Sequence, residues 1–312
     1  MTTLSKVTKL SVDTPFERKS PASEALKRFL RHRSAQIGMT LLGILLFCAI
    51  FANWISPYDP IKPIPTADHR SPPCIHFLGC PAAKEQHIMG VDTNSRDLFS
   101  RIIYGSRLSL QIGIETISLA IIIGGLLGAI AGFLGGWLDN LIMRCMDVLM
   151  AFPGILLAIA IVAVLGPGIR NAVLAIAIIE IPVYARVVRA SVLSVKDLDF
   201  VVASRALGAS NIQMLFSRIL PNALTPLIVQ GTLGIATAIL SAAGLSFLGL
   251  GAQPPTPEWG WMLGEERNSV FNAPFLVFFP GLAIMMTVLS FNLIGDGLRD
   301  ALDPRLRGGK GA

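Results

Sequence analysis

DFVVASRALGASNIQMLFSRILPN, Asp199 to Asn222, is a polar, glycine-centred interruption between long apolar runs, and the fold follows from what flanks it. Within it Val201, Leu207, Met214, Leu215 and Phe216 are interspersed with Arg205 and Arg218. Two short helices broken at Gly208 would therefore form a knob with apolar and basic faces. A glycine at that break permits positive φ or close contact at a turn, and Pro221 marks re-entry into the next apolar run. On the residues alone, a simple connector and a docking surface for a soluble partner both remain open.

Composition sets the class. Apolar residues make up 53% of the chain and charged ones 15%, against roughly 45–50% and 25% in soluble domains. With 312 residues and roughly 20 needed per crossing helix, the chain holds several spans and no large soluble catalytic domain. The net charge of +6 is explained by orientation in the membrane, and nucleic acid is not an expected partner.

Six spans are expected, at about residues 37–55, 108–134, 146–165, 172–188, 223–250 and 272–294. SPYDP (Ser56 to Pro60) stops the first, because proline removes a backbone donor and fixes φ. GGWLDNLIMR (Gly135 to Arg144) and GPGIRN (Gly166 to Asn171) read as turns. FPG (Phe152 to Gly154) lies near the start of the third span, and Pro182 kinks the fourth. LGLGAQPPTPEWGWML (Leu248 to Leu263) suits a structured interfacial loop in contact with lipid headgroups. The fold class is thus all-α. Its expected organisation is a basic amino-terminal segment, residues 1–36, then a six-helix membrane domain, residues 37–297, and a tail, residues 298–312. The membrane domain includes a long hydrophilic loop, residues 56–107, and a second loop, residues 190–222. In the basic segment, EALKRFLRHRSA (Glu24 to Ala35) has the spacing of a helix lying on the membrane surface.

Gly124, Gly128, Gly132 and Gly136 recur at four-residue steps in the second span. Such a stripe lets a neighbouring helix approach closely. For orientation, eighteen Lys or Arg fall on the side of the termini and of Asp199–Asn222, and eight on the other. The positive-inside bias puts both termini and that loop in the cytoplasm, and loop 56–107 outside.

Catalytic signatures are absent. The sequence has no GxxxxGK[ST] to cradle nucleotide phosphates, no HExxH, and no GxSxG. No metal, catalytic or cofactor-binding residues are expected. Cys48 and Cys145 lie in or beside apolar runs, where packing is their expected role. Cys74 and Cys80, six residues apart in the long loop, would either form a small disulfide in an oxidising compartment or remain two thiols. Glu115 and Glu180 fall inside apolar runs, where a carboxylate is costly. Near span ends, with Arg186 and Arg189 beyond Glu180, they read as paired or snorkelling groups. A proton-coupled secondary transporter is the alternative that would use them directly.

ASRALGASNIQMLFSRILP resembles the EAA loop, or coupling helix, of bacterial ABC importer permeases. It departs from that pattern at Val202, where Glu is usual, and at Arg218, where an aliphatic residue is common. HIMGVDTNSRDLFSRIIYGSRLSL, LSFLGLGAQPPTPEWGWML and NLIGDGLRDALDPR are similar, in the same order, to signatures of the dipeptide/oligopeptide permease family, second-permease type. The resemblance implies the type I ABC importer permease fold in a prokaryotic inner or plasma membrane. It implies a heterodimer with a second permease, two ABC ATPase subunits that bind ATP and Mg, and an extracytoplasmic substrate-binding protein. The cargo it implies is peptide, with glutathione or a nickel chelate as alternatives on the same machine. It also assigns ATPase docking to Ala203, Ser204, Arg205, Leu207, Gly208, Ala209, Ser210, Leu220 and Pro221.

Overall fold

Proline and glycine punctuate a chain of helices. The computed structural model describes residues 21–81 and 84–302; the basic residues before Pro21 and the tail after Leu302, which enter the charge argument, lie outside the described residues. α1 (Pro21–Arg31) leads into α2 (Arg33–Ile50) and the short α3 (Ala52–Ile55). After the long loop come α4 (Leu98–Leu134), α5 (Gly136–Met150), α6 (Gly154–Leu165) and α7 (Ile169–Val195). The glycine-centred stretch carries α8 (Asp199–Ala206) and α9 (Asn211–Met214), and a π-helical turn, Leu215–Ile219, joins α9 to α10 (Leu220–Phe247). α11 (Trp259–Glu265) and α12 (Phe275–Leu302) complete the order.

Among the described residues five helical segments are long and apolar enough to cross a membrane, and the bent pair α5–α6 makes a sixth if it counts as one span. The protein is an all-helical polytopic membrane protein. Three boundaries differ from the sequence reading. α4 begins at Leu98, so residues 98–107 are helix rather than loop; Asp97 starts it by accepting the Ser100 N–H at 2.8 Å. The expected turn Gly135 to Arg144 is instead most of α5. The third span is not continuous: α5 and α6 meet at 90°, where Pro153 lacks a donor and disfavours helical backbone at the residue before it.

α4 and α7 run parallel, because contacts climb both helices together. A Cβ built on Gly124 would lie 2.5 Å from the Ile181 carbonyl oxygen, one on Gly128 would overlap the Ala185 carbonyl, and one on Gly132 would lie 3.0 Å from the Arg189 carbonyl oxygen. Gly136, fourth in the sequence stripe, does not belong to this contact. Its position meets nothing within 4 Å, and its φ of +62° follows Gly135 at +66° in the break between α4 and α5. Tyr184 of α7, fully buried, reaches across to α10, where Gly234 leaves room for its hydroxyl.

The loop-rich end is tied together by charge. Arg96 bonds Asp92 at 2.7 Å and Glu265 at 2.8 Å, and Arg101 approaches the same two carboxylates at 3.4 and 3.7 Å. Thr93 donates its N–H to Glu266 at 2.9 Å. Trp259 packs on Gly105 and donates to the Ile102 carbonyl at 3.1 Å. Glu258 caps α11 through the Gly260 and Trp261 N–H groups, while burial pushes its carboxyl above the usual carboxylate range. These contacts lock the start of α4 to the α10–α12 hairpin. In the adjoining loop Cys74 and Cys80 are joined as a disulfide, with Cα atoms 5.4 Å apart. Cys48 and Cys145 are free, and Cys145 is exposed rather than packed.

Candidate functional site

The loop between α7 and α10 is built as an anchored turn. α8 ends in a pattern that needs glycine: Gly208 donates its N–H to the Arg205 carbonyl at 3.0 Å and Ala209 donates to the Ser204 carbonyl at 3.1 Å. Gly208 itself has φ +85°. This pair of bonds around a left-handed residue satisfies carbonyls that a helix end would leave open. Ser210 then starts α9 by accepting the Gln213 N–H at 3.3 Å. Helix end and helix start are thus separated by only four residues, Leu207 to Ser210, and the turn is set by backbone bonds rather than left to drift.

Its two faces differ. Val201, Met214 and Ile219 are each at most 1% exposed and join the main core with Val192 and Val195 of α7. Leu207 is 89% and Ile212 73% exposed, with Val202 and Phe216 also outward. Ala203, Arg205 and Gly208 lie on this open side, Gly208 with nothing within 4 Å of a Cβ placed there. Ser204 is half-buried, its hydroxyl donating to the Phe200 carbonyl at 2.8 Å. Ala209 and Leu220 pack toward the core, and Pro221 sits exposed at the start of α10, directly after the π-helical turn.

Sequence reading did not find what braces the loop. Arg189 bonds Asp139 of α5 at 2.5 and 2.7 Å, Arg186 bonds Asp147 at 2.7 Å, and Lys196 donates to the Gly132 carbonyl at 3.2 Å. Helices α4, α5 and α7 are therefore cross-linked just before α8 begins. These partners correct the expectation that Arg186 and Arg189 serve Glu180. Glu180 is half-buried and Glu115 is exposed, taking a hydrogen bond from Gln111 at 2.6 Å. Among the described residues no group of His, Cys, Asp and Glu could hold a metal ion.

Residues 124–308 match the family model described as binding-protein-dependent transport system inner membrane component, and residues 20–73 match the N-terminal TM domain of oligopeptide transport permease C. The chain is 46% identical over 288 residues to a dipeptide transport system permease protein DppC of Alkalihalophilus pseudofirmus, covering 92% of this chain and 91% of that one. A di/tripeptide transport system permease protein DppC of Pseudomonas aeruginosa matches at 46%, covering 92% and 93%. A glutathione transport system permease protein GsiD of Escherichia coli matches at 47% over 294 residues, 94% of each chain. Among solved structures, a chain of the methionine ABC transporter MetNI in an inward-facing conformation aligns with a TM-score of 0.55 at 19% identity, covering 65% of this chain and 97% of that one. At that identity the likeness speaks to the fold alone. A stand-alone proton-coupled carrier is set aside by the family matches. The chain belongs to the inner membrane components of binding-protein-dependent transport systems, as an ABC transporter permease of the DppC/OppC family.

Proposed function

We propose that this permease carries peptides inward as half of a heterodimeric path, with its α8–α9 turn seated in an ATPase subunit. The partners are a second permease, two ABC ATPases that bind ATP and Mg, and an extracytoplasmic binding protein that delivers cargo. Both termini and the α8–α9 loop are cytoplasmic, and the disulfide-bearing loop faces outward.

One observation carries the docking reading: the turn exposes Leu207 and Ile212 while Val201, Met214 and Ile219 hold it to the core. A solvated connector has no reason to hold apolar side chains outward on a braced support, whereas a surface awaiting a partner does. ATPase closure would move this knob as a rigid lever. α7 and α10 emerge from its two sides and touch again through Tyr184 and Gly234, so displacement at the knob passes to both. Alternating access then amounts to two packings of these helices, biased by the nucleotide state of the ATPases.

Peptide cargo is supported by three relatives at 46–47% identity, named for dipeptide, di/tripeptide and glutathione transport. The test is titration of the cognate binding protein with di-, tri- and longer peptides, glutathione and a nickel chelate, followed by uptake into vesicles holding the whole complex. Binding and uptake of short peptides support the proposal. Response to the nickel chelate alone would overturn it.

A further inference from the structure

The exposed faces of the spans are not alike. α2 turns Ile37, Ile44, Phe47 and Ile50 outward, and α6 turns out Ile155, Leu156 and Val164. These are faces for lipid. α4 differs: Gln111, Glu115 and Ser118 are all exposed, at spacings of four and three residues that put them on one side of the helix. Below them the same side becomes apolar, with Ile122, Leu126 and Ile130.

The depth of Glu115 follows from Arg107, which donates to the Ala49 and Ile50 carbonyls at the end of α2 and to Asn53 of α3. Eight residues separate Arg107 from Glu115, or about 12 Å along the helix. Glu115 therefore lies well inside the span. Between Arg107 and Leu134 the helix has no basic residue, and none of the ion pairs among the described residues involves Glu115. Among the described residues its one hydrogen-bond partner is the Gln111 amide, which donates to one carboxylate oxygen. An intramembrane carboxylate facing lipid is costly, which favours a position of this face against water, a cation or a polar protein partner.

We propose that the Gln111–Glu115–Ser118 face of α4 lines the outer vestibule of the translocation path, and that the Glu115 carboxylate receives the protonated amino terminus of the peptide cargo. The inference rests on the peptide reading above. The change from Ser118 to Ile122 marks the floor of the vestibule, where the apolar half of the face closes against the second permease. Such a carboxylate pairs with a cargo ammonium by a charge-assisted hydrogen bond, and the match ends when the path opens inward and water competes for both groups.

The experiment uses the complete transporter in proteoliposomes, with a tripeptide and its N-acetylated form as probes and binding-protein affinity for each measured separately. Glu115→Gln should reduce uptake of the free-amino peptide about tenfold and collapse the ratio between the two peptides, while Glu115→Asp keeps most of both. Wild-type uptake and ratio in Glu115→Gln would overturn the ammonium role. A second variant covers a failure of assembly. In a background with Cys48 and Cys145 replaced by alanine, Ser118→Cys should react from outside with a membrane-impermeant cationic thiosulfonate, and peptide-loaded binding protein should slow that reaction. No reaction would overturn the vestibule and assign the face to lipid or to the second permease. If the wild-type complex takes up no peptide, the cargo reading fails; if it does and Glu115→Gln changes nothing, this inference alone fails.

Discussion

Gly128 of α4 lies against the backbone carbonyl of Ala185 on α7 with no room for a side chain. Two helices held that close share one rigid unit, because membrane helices associate largely through packing of this kind. Gly128→Leu should separate them, lowering the yield of assembled complex and its uptake. Normal yield and uptake in that variant would show that the α4–α7 contact is dispensable. Gly136→Leu, by contrast, meets open space but asks a bulky residue to adopt φ +62°, so any loss there reflects backbone strain in the break.

The charged cluster at the loop-rich end makes a separate prediction. Asp92 is 3% and Arg101 1% exposed at the side chain, and removing one member of a buried pair leaves the other unpaired, at a cost of about 3–5 kcal/mol. Asp92→Asn should therefore lower the melting midpoint of the purified permease, read by tryptophan fluorescence. Substituting Asp59, whose only ion pair among the described residues is with the exposed Lys62, should move the midpoint little. Equal effects at the two positions would contradict the assignment of the cluster as a structural lock.

How much of this was legible beforehand depends on the range of the interaction. The Gly124, Gly128 and Gly132 face is a local period, and it shows in the sequence as one. Gly136 has the same period, but at Gly135 and Gly136 the backbone turns to positive φ and ends α4, so spacing alone misassigns it. The start of α5 reads as a turn because Gly135, Gly136, Asp139 and Arg144 break its apolar pattern, and Asp147 stands within the expected third span. The meaning of the two aspartates is non-local: Asp139 answers Arg189, 50 positions away, and Asp147 answers Arg186, 39 away. The Arg96–Glu265 pair spans 169 positions and leaves no trace in either segment alone. In the α8–α9 loop, Gly208 and Ser210 announce themselves as turn and cap residues. The split between buried Met214 and exposed Ile212 needed the packing against α7.

The loop disulfide is tested chemically. With Cys74 and Cys80 bridged and facing an oxidising compartment, a thiol reagent should leave both unmodified until reductant is added, read by the mass of the peptides that contain them. Cys145, exposed and free, serves as the internal control for reagent access. Ready modification of both loop cysteines without reductant would reject the bridge and leave the membrane fold untouched.

Orientation has its own measurement. Reporter fusions after Ala312 should be active only as cytoplasmic reporters, and an insertion beside Lys84 only as an extracytoplasmic one. The reverse pattern at either position would contradict the positive-inside assignment and, with it, an ATPase at the α8–α9 loop.

The central claim is that the turn at Gly208 seats in the ATPase, and Gly208→Asp tests it most directly. The position is exposed with nothing within 4 Å, so the permease itself has space for the side chain. Its φ of +85° costs an L-residue roughly 1–2 kcal/mol, less for Asp, which visits that region more readily than most. The main penalty falls on the interface, where a carboxylate would be buried without a partner. The measurement is co-purification of the ATPase subunits with wild-type and Gly208→Asp permease at matched membrane levels, together with uptake of a labelled peptide. The account predicts a variant that inserts and pairs with the second permease but loses ATPase and uptake. ATPase retained in full, with uptake unchanged, would contradict it.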